Sequence, residues 1–425
     1  MKTKLLLASL FALTVQQTVL SQTDANGYTS VNLTTGANYQ NRVFFDFSAN
    51  NIVSQPANTW DVAFYRNSSM SFGTRINDAQ NIEVYEASNV ATNWDNINIA
   101  NIASWGAPLY NPDATTTLQD GAFEQGSAPY GWGSYNPGNH HIEGNVIFVL
   151  KYLSTGEYIK FMIQDYFGGY TFKYSKWNAT SSTWDATQTK TIANGTDDAF
   201  FNYFSFTTGD KVANLEPPKA DWDLMFTRYW SFYANIMMYR LSGVIQSPNV
   251  TIAKVQPETQ ETSAATLPAT TAFSSNITTI GHTWKPTTGV YSDVVYYVKQ
   301  GSTYYRMYFT QNGGATTGNM YFKYKNITSV LDVTEVSKKA SFGIYPNPTT
   351  ADKRVTVLFD VKEKSSNRGN VEVYDLTGKK VYNAELTNQE GFYKQDLNLS
   401  HLQSGNYIVK ITYGGSTETK KLIVK

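Results

Sequence analysis

Short runs in which apolar and polar residues alternate recur along most of the chain. In Trp60-Asp61-Val62-Ala63-Phe64-Tyr65-Arg66, Trp60, Val62 and Phe64 fall on one face, and Asp61, Ala63 and Tyr65 on the other. That period of two, with aromatic and β-branched residues in the runs, predicts half-buried strands. Val146 to Lys151, a turn at Ser154-Thr155-Gly156, and Tyr158 to Gln164 predict a hairpin. Val294 to Lys299, Gln300-Gly301 and Tyr304 to Thr310 predict it again. Helical periodicity is almost absent, and Trp230 to Leu241 is read as strand from its β-rich neighbours. Polar loops rich in Asn, Thr, Gly and Ser fill 108–141, 178–198 and 255–280. The fold class expected is all-β.

The strand blocks occur twice. Phe44-Phe45-Asp46-Phe47 leads to Trp60-Asp61-Val62-Ala63-Phe64-Tyr65-Arg66, and Tyr203-Phe204-Ser205-Phe206 leads to Trp222-Asp223-Leu224-Met225-Phe226-Thr227-Arg228. The shared core is W-D-x-x-F-x-R. The offset is 159 before the linker (203 − 44) and 162 after it (222 − 60), the longer linker holding Pro217-Pro218. Later blocks keep the order: Gly156-Glu157-Tyr158-Ile159-Lys160 matches Ser302-Thr303-Tyr304-Tyr305-Arg306, and Gly169 to Tyr174 matches Asn319 to Tyr324. Two tandem copies are expected, 23–185 and 196–332. Asp61 and Asp223 are expected to cap neighbouring turns, and Arg66 and Arg228 to bridge elsewhere, because residues five apart on a strand face opposite ways.

The two ends read as addresses. Residues 1–21 place Lys2 and Lys4 before an apolar run from Leu5 to about Val15, then Val19-Leu20-Ser21, the order of a secretory signal peptide. The run falls short of the ~20 residues of a spanning helix, and no transmembrane segment is expected. After about Ser337 the lysine density rises and tryptophan stops. There Tyr345-Pro346-Asn347-Pro348, Val371-Glu372-Val373-Tyr374-Asp375-Leu376-Thr377-Gly378-Lys379-Lys380-Val381 and Leu402-Gln403-Ser404-Gly405-Asn406-Tyr407 read as a small antiparallel sandwich. Those motifs resemble the type IX (Por) secretion system C-terminal sorting domain, type A, over 342–425. The resemblance implies partnership with the type IX machinery, export across the outer membrane to the surface or medium, and a bacterium of the Bacteroidetes type.

Composition narrows the chemistry. The 425 residues contain no cysteine, which excludes disulfides, thiolate metal sites, cysteine nucleophiles and a lipidated cysteine anchor. Lys plus Arg equal Asp plus Glu at 34 each, which argues against general nucleic-acid binding, and no nucleic-acid partner is expected. Neither G-x-S-x-G, H-E-x-x-H nor a P-loop occurs, and no enzymatic activity is expected.

The repeated strand blocks also resemble the HmuY family of Bacteroidetes, secreted or surface all-β haem-binding proteins. The resemblance implies two tandem HmuY-like domains, haem as cofactor, and iron held by loop His or Met. The candidates are His140 and His141 before the Val146 strand, Met162 in the next strand, and His282, Met307 and Met320 in the second copy; the metal ligands would be His140, His141 and His282. Tyr170 takes the place of Met320 in the first copy. The competing reading makes the histidines loop residues and the methionines core. The loop Ala128-Pro129-Tyr130-Gly131-Trp132-Gly133-Ser134-Tyr135-Asn136-Pro137-Gly138-Asn139-His140-His141 is a binding edge or a long connection tied down by its rings. Two functions therefore stand: capture of haem or another small ligand, or a non-haem binding or adhesion module for glycan or protein on the same fold.

Overall fold

The structure, a computed structural model, describes residues 15–16, 23–66, 71–195, 198–234, 236–263, 266–328, 340–361, 368–387, 389–413 and 416–425. The signal-peptide segment 1–21 lies outside them save for Val15–Gln16. The chain is all-β, in antiparallel sheets; among the described residues the one α-helix is Gly314–Thr317. Two compact units form, divided at Asn326.

In the first unit the two sequence copies do not close separately. Strands Asn41–Asp46 and Asn51–Pro56 of the first copy join a sheet with Leu224–Tyr233 and Met237–Gln246 of the second. In return, Phe201–Ser205 and Asp210–Val212 of the second copy join Val62–Tyr65 and Thr74–Ile76 of the first. The same exchange occurs one strand earlier. Thr29–Thr34 pairs with Asn319–Asn326, and Gln188–Ala193, which leads into the second copy, pairs with Gly169–Asn178. Two lobes result. Residues 57–212 build the first. Residues 23–56 and 213–326 together build the second. The copies expected at 23–185 and 196–332 are thus interleaved, each supplying its opening strands to the other's lobe.

Each lobe is a sandwich with its own core. Val62, Phe64, Phe148, Phe161, Phe172 and Phe204 meet in the first. Val43, Phe45, Phe226, Tyr296, Phe309 and Phe322 meet in the second. A third cluster, with Phe44, Trp60, Tyr65, Phe201, Tyr203 and Trp222, joins the lobes. Alternation explains the third core. Val62 and Phe64 enter the lobe interior while Ala63 and Tyr65 face the inter-lobe cluster. Trp60 is a correction to the pattern. It packs with Ala63 and Tyr65, not with Val62, because the strand starts only at Val62 and the chain turns at Asp61.

The repeated Asp residues hold the exchange. Asp61 Oδ2 accepts from the Phe206 amide at 2.6 Å, and Asp223 Oδ2 from the Phe47 amide at 2.8 Å. Alongside them, the Asp61 amide donates to Phe204 O and the Asp223 amide to Phe45 O, both at 2.8 Å. Tyr152 and Gln80 donate to Asp61 Oδ1, and Gln300 to Asp223 Oδ1. Each Asp is a cap, as expected, but the amide it caps belongs to the other copy. The Arg residues bridge elsewhere: Arg66 Nη1 donates to Asn194 O at 2.8 Å and Arg228 Nη2 to Arg240 O at 3.2 Å.

The second unit is a sandwich. One sheet runs Ala340–Tyr345, Arg354–Val361, Gly391–Asn398; the other Lys380–Glu385, Asn370–Tyr374, Gly405–Tyr413, Ser416–Val424. Val357, Phe359, Val373, Leu397, Val409 and Leu422 are among its core residues. The tight turn falls where Thr377-Gly378 placed it. Asp375 Oδ1 accepts from the Thr377 and Lys379 amides, and Gly378 takes φ 86°, a conformation glycine adopts without strain.

Two outcomes follow from the exchange. A fragment spanning 57–212 holds every strand of the first lobe, so it is expected to fold alone. A fragment spanning 23–185 lacks three of those strands, and is expected to be insoluble or unfolded; circular dichroism and amide dispersion of the two distinguish them, and a folded 23–185 would contradict the interleaving. The second outcome concerns Asp223, whose carboxyl is pushed up to about 7, chiefly by burial and despite the Phe47 amide. An unfolded Asp titrates near ~3.9. The folded state therefore binds this proton more tightly. The stability it contributes is complete below about pH 4 and is lost as pH rises through about 7. Asp223→Asn removes that titration, so denaturant unfolding from pH 5 to pH 8.5 should show the stability difference moving in favour of the variant as pH rises. A pH-independent difference would count against the assignment.

Candidate functional site

The loop singled out in the sequence forms a short hairpin, Gly133–Asn136 with His141–Gly144, mounted on the end of Tyr158–Tyr166. Asn136 and Asn139 shape its tip, their side-chain oxygens accepting from the Gly138 and His141 amides. His140 sits at φ 64° and bonds Tyr135 Oη through Nδ1 at 2.5 Å. A Cβ on Gly144 would lie 1.7 Å from Ile163 O, so only glycine lets the hairpin lie against that strand. Trp132 is fully buried at its base, and Phe72 packs against both Tyr130 and Trp132. The rings therefore do tie the loop down.

The outer side of this hairpin is aromatic and polar together. His141 Nδ1 lies 2.7 Å from Asp165 Oδ1. Its ring stacks on Phe167 with centroids 4.6 Å apart and planes within 2°. Phe167 is 61% exposed. Next to it, Glu143 Oε1 accepts from Asn139 and Asn136 amides, which hold its carboxyl below the usual range. Here are a planar exposed ring, an oriented imidazole and two carboxylates within one hairpin and the adjoining strand end.

The remaining sequence candidates lie apart from it. Met162 is buried among Trp94, Ile97, Ile147 and Val149. Met307 and Met320 are wholly buried in the core of the second lobe. His282 bonds Tyr229 Oη through Nδ1 at 2.8 Å, in the second lobe, and burial followed by Lys285 lowers its pKa. Tyr170, in place of Met320, is buried and bonds backbone at Gly73 and Tyr65. The haem-ligand set expected from the sequence is therefore not gathered: methionines occupy cores, and the histidines fall in two separate places. Among the described residues no group of three or more His, Asp or Glu assembles as for a metal ion.

Sequence reasoning missed a different place. Between the lobes lies a cavity of about 60 Å³, lined by residues of both copies that include Arg42, Trp60, Arg75, Trp222 and Arg228. A porphyrin does not fit there, since drug-sized pockets measure ~300–1,000 Å³. The Arg42 guanidinium lies 4.4 Å from the Tyr203 ring centroid and 5.2 Å from that of Trp60, and its Nη2 donates to Leu215 O at 2.6 Å. Asp78 and Glu216 also line the cavity. Burial pushes Asp78 up to about 7, against the pull of Arg75, and raises Glu216. The repeated W-D-x-x-F-x-R motif was the available signal, since Trp60, Trp222 and Arg228 come from it.

No curated protein matches the chain. Residues 343–425, the second unit from its first strand onward, match the secretion system C-terminal sorting domain, and the chain is exported by type IX secretion to the cell surface or the extracellular space.

Proposed function

We propose that the exported chain is a non-catalytic binding protein whose ligand is a glycan. The observation that carries this reading is the exposed Phe167 ring, backed by His141 and flanked by Asp165 and Glu143. A sugar presents C–H groups on one face and hydroxyls around its rim. The ring receives the apolar face, and the carboxylates accept from the hydroxyls. The stack behind Phe167 fixes the ring before any ligand arrives, which lowers the ordering cost of binding.

A second reading is capture of haem, as the resemblance to the HmuY family implies. One observation favours it. Asp165 engages His141 Nδ1, which leaves Nε2 as the free donor nitrogen, the arrangement that orients imidazole ligands toward metals. Haem would then be held at the hairpin by His141 beside Phe167.

Glycan-array binding by the purified full chain, with haem titration in parallel, separates the two. Glycan binding is expected, and Phe167→Ala should weaken it about tenfold, the scale of one aromatic contact. A Soret shift abolished by His141→Ala would replace the glycan reading with haem. Binding of neither ligand would overturn both.

A further inference from the structure

The cavity between the lobes carries an imbalance of donors over acceptors among its unpartnered groups. Its lining contributes four buried N–H groups without a protein acceptor: Arg42 Nε, Trp60 Nε1, Trp222 Nε1 and Arg228 Nε. No acceptor on a lining residue is left without a donor in the same way. Arg42, Trp60 and Trp222 are all more than nine-tenths buried. Both lining carboxylates already accept from protein donors. Glu216 takes the Phe201 amide and the Tyr203 hydroxyl, and Asp78 takes the Asn111 amide. Arg42, Arg75 and Arg228 set three positive charges against two carboxyls on the lining. Native proteins pair nearly all buried polar groups, and an orphan donor asks for an unseen partner. Four orphans of one kind ask for a partner that only accepts.

We propose that this cavity binds a small oxyanion, of the size and chemistry of phosphate or sulfate. The volume suits it. One water needs ~10–15 Å³ on this measure, so about 60 Å³ holds roughly five non-hydrogen atoms. Guanidinium and indole N–H groups together give charge and directed donors, as tetrahedral oxyanions require. Trp60 and Trp222 occupy matching positions of the two copies, so the anion is clasped from both lobes. A neutral water cluster is the alternative occupant. Water offers hydrogens as well as lone pairs, so it matches a set of unpartnered groups that are all donors less well.

The test uses the full chain in chloride, with phosphate, sulfate or acetate added at matched ionic strength. The expected result is a saturable rise in melting temperature with phosphate or sulfate, and a shift of two indole N–H resonances, assigned to Trp60 and Trp222 by Trp60→Phe and Trp222→Phe. Arg42→Gln should weaken the titrated affinity at least tenfold. The wild-type indole resonances decide the matter even if a variant fails to fold. Unmoved indole signals, or a response shared equally by chloride and acetate, would overturn the site and leave water as the occupant.

Discussion

A buried carboxylate that caps an amide from the other sequence copy is the constraint on which the first unit depends. Neither Asp61 nor Asp223 can be read as local decoration. Each stands where its own strand begins and where a donated hairpin arrives, at Phe206 and Phe47. Removing either leaves a buried N–H unsatisfied, at a cost of about 1–3 kcal/mol. Burying a carboxylate is itself unfavourable, and the protein offsets it by satisfying the second oxygen with Tyr152 and Gln80 in one lobe and Gln300 in the other. Because the caps run in both directions, neither copy reaches its native contacts without the other.

The aromatic content follows from the same arrangement. A lone sandwich needs one apolar face per sheet. Here the sheets carrying the W-D motifs bury both faces where the lobes meet, one in the lobe and one between lobes, so a strand such as Val62–Tyr65 is buried throughout. That doubling explains aromatic residues at 15% and charged residues at only 16%. It also explains how charged groups such as Arg42 and Arg75 came to be enclosed: they are polar residues caught where two apolar layers close.

Much of this was legible in the sequence, and the limits have physical reasons. Period two and the turn residues identified the strands, the hairpin from Ile147 to Tyr166 and the tail sandwich. The repeat was visible because Trp60-Asp61 and Trp222-Asp223 recur in order. Alternation, however, specifies which face of a strand is buried and says nothing about which strand lies beside it, so the exchange between copies was hidden. Trp60 was assigned to the wrong face because the pattern does not show that the chain turns at Asp61. Met162, Met307 and Met320 carry donor atoms that a sequence cannot distinguish from packing. The inter-lobe cavity draws on residues from Arg42 to Arg228, a spread that no local motif reports.

The pairing of Thr29–Thr34 with Asn319–Asn326 has a consequence for the order in which the molecule is completed. Thr29 meets Tyr324, which lies 295 positions later (324 − 29). A strand made early is thus among the last to find its neighbour, and the second lobe stays open until almost everything ahead of the tail has emerged. The contiguous first lobe shortens that wait. Once it folds, Val62–Tyr65 and Asp210–Val212 lie two strands apart in one sheet, about 10 Å, so the two arms that must close the second lobe leave from neighbouring points. A closure spanning 295 positions is thereby divided between two arms, of 33 (62 − 29) and 112 (324 − 212) positions, and its entropy cost, which grows with loop length, falls accordingly. For a chain bound for export, the last latch is set only after the whole body is present.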